Sequence, residues 1–186
     1  MDRIIDIVLP AIPQTLIMVI ASTIIALLIG LPLGIILTTT RPGGLTESLK
    51  VYSVLDGIIN ILRSFPFVIL MIVVFPLSRL IVGKSYGTVA MIIPLSVSAA
   101  PFVARLMEGY LIQVDSGIIE AAKSMGSSKR EIIFKVLIPE AMPMIVTGIT
   151  MTVINVIGYS AMAGVMGGGG LGDVANRYGY QRNEPL

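Results

Sequence analysis

The sequence predicts an all-α, polytopic membrane protein, a helical bundle with four spans. Three observations lead there. Of 186 residues, 55% are hydrophobic and 13% charged, and the mean hydropathy is +0.92. Uncharged runs recur at residues 7–40, 85–104 and 141–172, and residues 57–77 carry only Arg63; each run reaches the roughly 20 residues that cross a bilayer. The charges collect between these runs, seven of them within residues 115–139.

What is missing narrows the function. Cys and His are both absent, so the chain has no disulfide, no imidazole or thiolate metal site, and no Ser–His or Cys–His pair. The net charge of +2 comes from basic residues that flank apolar runs, which points to membrane topology and not to nucleic acid. A cleavable leader is not expected, because Asp2, Arg3 and Asp6 are net negative where a signal needs positive charge.

Taken in order, residues 14–39 read as the first span, with Pro10 and Pro13 at its entry and Pro32 inside it. Arg41-Pro42-Gly43-Gly44 stops it. Residues 46–56 are mixed and polar. Residues 57–77 form the second span, bent or ended by Pro66 and Pro76. Arg63 is its costly member, at about 2.5–3.5 kcal/mol for an arginine at a helix centre. Either it snorkels to the cytoplasmic interface and pairs with Asp56, or it lines a pore or gate.

Residues 85–104 form the third span, with Pro94 and Pro101 inside. Ser96, Ser98, Ala99 and Ala100 would let another helix approach closely. Residues 105–110 return to polar surface. The fourth run, 141–172, is helix-like to about residue 160. Six glycines then follow from Gly164 to Gly172, too many for a stable helix. Irregular backbone at that depth needs shelter from protein or a wet cavity. A phosphate-binding loop fails as an alternative, since no Lys-Ser/Thr follows.

Residues 115–139 have their own grammar. Ser116 can cap a helix over 117–125, and Gly126 suits the left-handed residue that ends it. Ser128 and Glu131 are spaced as a capping box. Ile132, Ile133, Val136 and Leu137 give the second helix an apolar stripe, and Pro139 marks its boundary. This is either a bare connector or a docking element. The Ala pair beside Glu120 and the glycine between the halves favour docking.

Glu120-Ala121-Ala122, three residues, Gly126, nine residues, then Val136-Leu137-Ile138-Pro139 resembles the EAA loop of bacterial ABC importer permeases. Val136 and Ile138 stand where that pattern has Ile and Leu. Arg63-Ser64-Phe65-Pro66 is similar to an R-[GS]-x-P element of amino-acid permeases. Gly158-Tyr159-Ser160-Ala161-Met162, with the Gly-Gly-Leu-Gly that follows, resembles the methionine-importer branch.

The resemblance implies one permease domain over residues 1–186, with 115–139 as a cytoplasmic coupling loop that sits in a cleft of an ATPase. Glu120, Ala121, Ala122, Gly126 and Pro139 are then the coupling residues. It implies five spans where the chain carries four, so the family's last helix is missing from it. It further implies a second copy of this chain, two ABC ATPases that bind ATP and Mg, and an extracytoplasmic substrate-binding protein, all at a bacterial inner membrane. The chain itself would be non-catalytic and hold no cofactor. Arg63, Asn155, Tyr159, Ser160 and Met162 are the candidate pathway residues, with ordinary helix packing or, for Arg63, snorkelling as the other reading.

A cytoplasmic loop at 115–139 puts Arg41, Lys50, Arg105, Lys123, Lys129, Arg130 and Lys135 inside. Arg3, Arg79, Lys84, Arg177 and Arg182 are then outside, in the positive-inside sense. A secondary transporter or channel is the alternative, but acids near the midplane that could couple to protons are lacking. An intramembrane protease at Ser160 would lack a histidine base.

Overall fold

The computed structural model describes residues 2–181, in eight helices named here in chain order. Three stretches, Ile5–Thr40, Thr88–Ile112 and Lys129–Gly168, are long and apolar enough to cross a membrane, and a bent helix pair brings the number to four when its halves are counted as one span. The all-helical membrane bundle expected from the sequence is present.

Helix α1 runs Asp2–Thr40 and contains Pro10, Pro13 and Pro32. The first two prolines therefore lie within the helix and not at its entry. Each removes one ladder bond, a loss that a long helix with an otherwise intact ladder absorbs. Helix α4, Thr88–Ile112, packs along α1 at glycine contacts. A methyl on Gly30 would lie 2.5 Å from Val103 Cβ and 2.8 Å from Ala100 O, and one on Gly34 would lie 2.5 Å from Met107 Cβ. Hydrocarbon tails give helices no hydrophobic drive to associate, so this close backbone approach is what holds the pair.

The second span differs from expectation. It is two helices, α2 over Leu49–Ser64 and α3 over Phe67–Val82, bent by 110° at the break. Phe65 is extended, as a residue before proline prefers, and Pro66 opens α3. Residues 49–56, read as polar connector, are the first two turns of α2. Their amphipathic face packs on α1 and α4 through Tyr52, Leu55 and Ile59. Pro76 is carried inside α3 without ending it.

Helix α4 also outruns its predicted end by eight residues, taking in Arg105 and Glu108. Arg105 donates to Glu108 Oε2 and Asp56 Oδ1 at 2.6 Å each, and to Asn60 Oδ1 at 2.9 Å. A charge matched in this way can stay on a spanning helix.

Helix α5, Ser116–Ser124, is followed by the single turn α6, Lys129–Glu131. A wide, π-type turn over Ile132–Leu137 then leads without interruption into α7, Ile138–Ala163. Pro139 is thus no boundary. It lacks the N–H for the usual bond and crowds the carbonyl four residues back. The helix widens just ahead of it, with Ile138 N–H reaching Ile133 O. Helix α7 ends near the predicted place, and a kinked turn over Gly164–Gly168 follows. Helix α8, Gly170–Val174, continues as a wide helix through Gln181. Arg182 lies outside the described residues, as does the side chain of Arg3.

Two further apolar clusters fill the bundle. One joins α1, α4 and α7, with Val103, Met107, Leu111 and Val156 among its buried members. The other gathers Met18, Phe67, Met71, Met91, Leu95 and Ala163 toward the outer end.

Candidate functional site

The polar island stands as two short helices joined by a tight turn. Asp115, not Ser116, caps α5, with its carboxylate accepting from Gly117 N–H at 2.7 Å. Its side chain reaches the amide two residues on, as an N-cap should. Gly126 has φ +81° and closes α5, its N–H donating to Lys123 O at 3.0 Å.

The predicted capping box is formed. Glu131 N–H donates to Ser128 Oγ at 3.3 Å, and Ser128 N–H donates to Glu131 Oε2 at 3.1 Å. This segment lies ahead of the uncharged run of α7. Lys135 Nζ lies 3.0 Å from Glu131 Oε1, and the Ser128 hydroxyl also donates to Glu131 Oε2 at 2.9 Å.

Of the coupling residues, Glu120, Ala121, Gly126 and Pro139 are exposed, while Ala122 is buried. The two alanines therefore divide the work. Ala122 packs inward and Ala121 faces out beside Glu120. Among the described residues the Glu120 carboxylate has no ion pair. An unpaired acid, a small neighbour and a rigid turn make a surface that another protein can engage.

The pathway candidates are only partly brought together. Asn155, Tyr159 and Met162 share one face of α7 at three- and four-residue spacing, Met162 exposed and the other two half-buried. Ser160 belongs to the adjoining, packed face with Thr152, Val156 and Ala163. Its hydroxyl is spent on Ile157 O at 2.7 Å. The Tyr159 ring stacks on Phe67 with centroids 4.4 Å apart and planes 3° apart. That stack fixes the face of α7 against the first residue of α3, just past the break. Arg63 lies before the break, exposed and without an ion pair among the described residues. Asp56, its expected partner, is taken by Arg105.

Two features escaped the sequence reading. The first is the Asp56–Asn60–Arg105–Glu108 network, in which Asn60 Nδ2 also donates to Asp56 Oδ2 at 3.0 Å. Each half has helical spacing, four residues in α2 and three in α4, but nothing local says that the halves meet. The second is the fastening of the glycine stretch. Gly170 N–H donates to Gln14 Oε1 at 2.7 Å, Leu171 N–H to Thr15 Oγ1 at 2.9 Å, and Gly87 N–H to Gly167 O at 2.8 Å.

A bundle of this kind, with an exposed polar turn between two of its spans, has known counterparts. The family model described as "binding-protein-dependent transport system inner membrane component" matches residues 30–186. The chain belongs to that family. This inner-membrane permease is 50% identical over 177 residues to a Vibrio cholerae protein named probable D-methionine transport system permease protein MetI. The match covers 95% of this chain and 79% of the relative. A Pasteurella multocida protein of the same name is 49% identical over 170 residues, covering 91% and 78%. Among solved structures, the permease matches one titled "Inward facing conformations of the MetNI methionine ABC transporter" with TM-score 0.94 and 43% identity, covering 97% of this chain and 83% of the other. The resemblance drawn from the EAA spacing therefore holds at the level of the family.

Proposed function

We propose that this permease is the membrane subunit of an ATP-driven importer for methionine, and that residues 1–186 act as one permease domain. Relatives named for D-methionine transport support the substrate. The observation that carries the mechanism is the exposed, self-capped α5 with its Gly126 turn. It is a rigid docking piece joined directly to two spans. Residues 113–115 link it to α4, and α6 leads into α7 without a break.

Glu120, Ala121, Ala122, Gly126 and Pro139 then form the coupling element. Glu120 and Ala121 face the ATPase, Ala122 and Gly126 hold the element's shape, and Pro139 sets the wide turn into α7. Two ATPases binding ATP and Mg would act on two copies of the chain, with substrate delivered by an extracytoplasmic binding protein. Displacing α5 pulls on α4, and the Gly30 and Gly34 contacts carry α1 with it. On α7, Gly148 leaves room for the Tyr110 ring of α4, because a methyl there would lie 2.6 Å from Tyr110 Cε2. The three helices therefore move as a body, the kind of change that alternates access. Arg63, Asn155, Tyr159 and Met162 are placed along the pathway, with Ser160 supporting it from the packed face.

The test is methionine uptake into proteoliposomes holding the chain with its ATPase and binding protein. Uptake that needs ATP supports the importer, and uptake by the chain alone without ATP would support a channel. In the same assay Arg63→Lys should reduce uptake severalfold at unchanged protein level, because lysine keeps the charge but not the planar fork. Uptake like wild type in that variant removes Arg63 from the pathway.

A further inference from the structure

We propose that the cleft between the foot of α1 and α5 binds a phosphate group, with Arg41 and Lys123 as its cationic contacts. The cleft has a volume of about 190 Å³, more than the about 150 Å³ that holds benzene in an engineered protein cavity. Arg41, Lys123, Glu120, Ser116 and Thr39 are among its lining residues. One carboxylate against two cations leaves it net positive.

Arg41 is the unexplained residue. Its guanidinium has no hydrogen bond or ion pair to the described residues, and its Nε is closed off from solvent without a partner. Capping the end of α1 would be its ordinary use. That work is already done. Thr40 Oγ1 donates to Ile36 O at 2.6 Å, Arg41 N–H itself to Leu37 O at 3.1 Å, and Thr46 N–H and Ser48 N–H to Thr39 O and Thr40 O at 2.9 Å each. The side chain is left over, and a half-buried charge with an unmet donor is costly. A bound anion removes that cost.

Phosphate is the anion that fits. The planar fork of arginine matches a pair of phosphate oxygens, while lysine adds a point charge from the other wall. Depth agrees. Arg41 is the first charge after the uncharged residues 7–40, so it sits where hydrocarbon gives way to head groups. The phosphate could be carried by an anionic phospholipid or be free in solution. The inference uses only the geometry of the cleft and is read without ATP turnover, so it stands or falls apart from the docking role of α5.

The experiment uses the full chain purified in its native assembly. It is placed in nanodiscs of phosphatidylcholine alone, or with phosphatidylglycerol, and retained lipid is counted by native mass spectrometry. Retained phosphatidylglycerol, reduced about tenfold in Arg41→Gln and less in Lys123→Gln, is the result for a lipid head group. In phosphatidylcholine alone, line broadening of inorganic phosphate by phosphorus NMR that vanishes in Arg41→Gln assigns the site to the free anion. Occupancy that ignores Arg41 in both arms overturns the proposal. If Arg41→Gln does not assemble, Lys123→Gln decides in its place, and unchanged occupancy in that variant overturns the proposal.

Discussion

The long helical stretch Lys129–Gly168 is flanked by glycine-dependent turns, and the two are built on opposite terms. At the inner end, a methyl on Gly126 would meet nothing within 4 Å. The bonds that hold this end come from within a few residues, from Asp115 to Gly117 and from Ser128 to Glu131. At the outer end, methyls on Gly164, Gly168, Gly169 and Gly170 would each lie under 3 Å from another atom. The bonds there cross 80 to 156 residues of sequence, to α4 and α1. The inner turn is stable by itself and open to a partner. The outer turn exists only because the bundle closes around it. A tightly fastened segment of this kind is the opposite of a loose external loop.

Substitutions can break this contrast, and the largest effect on stability belongs outside. Gly168→Ala combined with Gly169→Ala puts methyls 2.7 Å from Ala163 O and 2.7 Å from Gln14 Oε1, the second at φ +78°. The left-handed angle alone costs about 1–2 kcal/mol. The double variant should yield little assembled protein on size exclusion, and wild-type yield and uptake together would show that the segment is a loose loop after all. Gln14→Ala comes next. It strips the acceptor from Gly170 N–H and should destabilise by about 1–3 kcal/mol, read as a lower thermal midpoint of the purified protein.

The inner end should behave the other way round. Gly126→Val forces a β-branched residue to φ +81° at a cost of about 1–2 kcal/mol confined to the turn. Protein level should hold while ATP-driven uptake is lost, and normal uptake would sink the docking role. Ser128→Ala is the mildest change, about 1 kcal/mol for a lost cap, with uptake lowered and never abolished. Should the inner variants prove the less stable pair, the contrast is wrong.

The same division explains what could be read from the sequence. The capping box, the glycine turn and three of the four apolar runs are written in neighbouring residues, and each is present as a helix or turn where expected. The cap of α5 was misplaced by one residue because Asp115 and Ser116 are both good caps. The start of α2 was missed because residues 49–56 look polar in one dimension. Their apolar side is seen only once α1 and α4 provide the surface it covers. The run past Ala104 was cut short at Arg105 for a similar reason, since the charge looked terminal without Asp56 beside it. Near the candidate site, the short helix carrying Glu120 and its closing left-handed turn at Gly126 were legible locally, within a residue at the helix start. The Phe67–Tyr159 stack and the Gln14–Gly170 bond were not, because no local spacing encodes a contact between distant helices.

The break between α2 and α3 has a consequence for the solvent around it. Arg79 bounds the apolar part of α3, so that helix offers residues 67–78 to the hydrocarbon, about 18 Å at 1.5 Å per residue. The layer itself is about 30 Å thick. The break therefore falls within the layer and not at its surface. The last four carbonyls of α2, on residues 61–64, have no following turn to donate to them, and among the described residues no side chain donates to them; the Ser64 hydroxyl turns back to Asn60 O at 2.7 Å. Acyl chains cannot solvate a carbonyl. Either water or the surface of another protein must then serve the backbone up to Phe65, so the break is a place that lipid has to be kept away from.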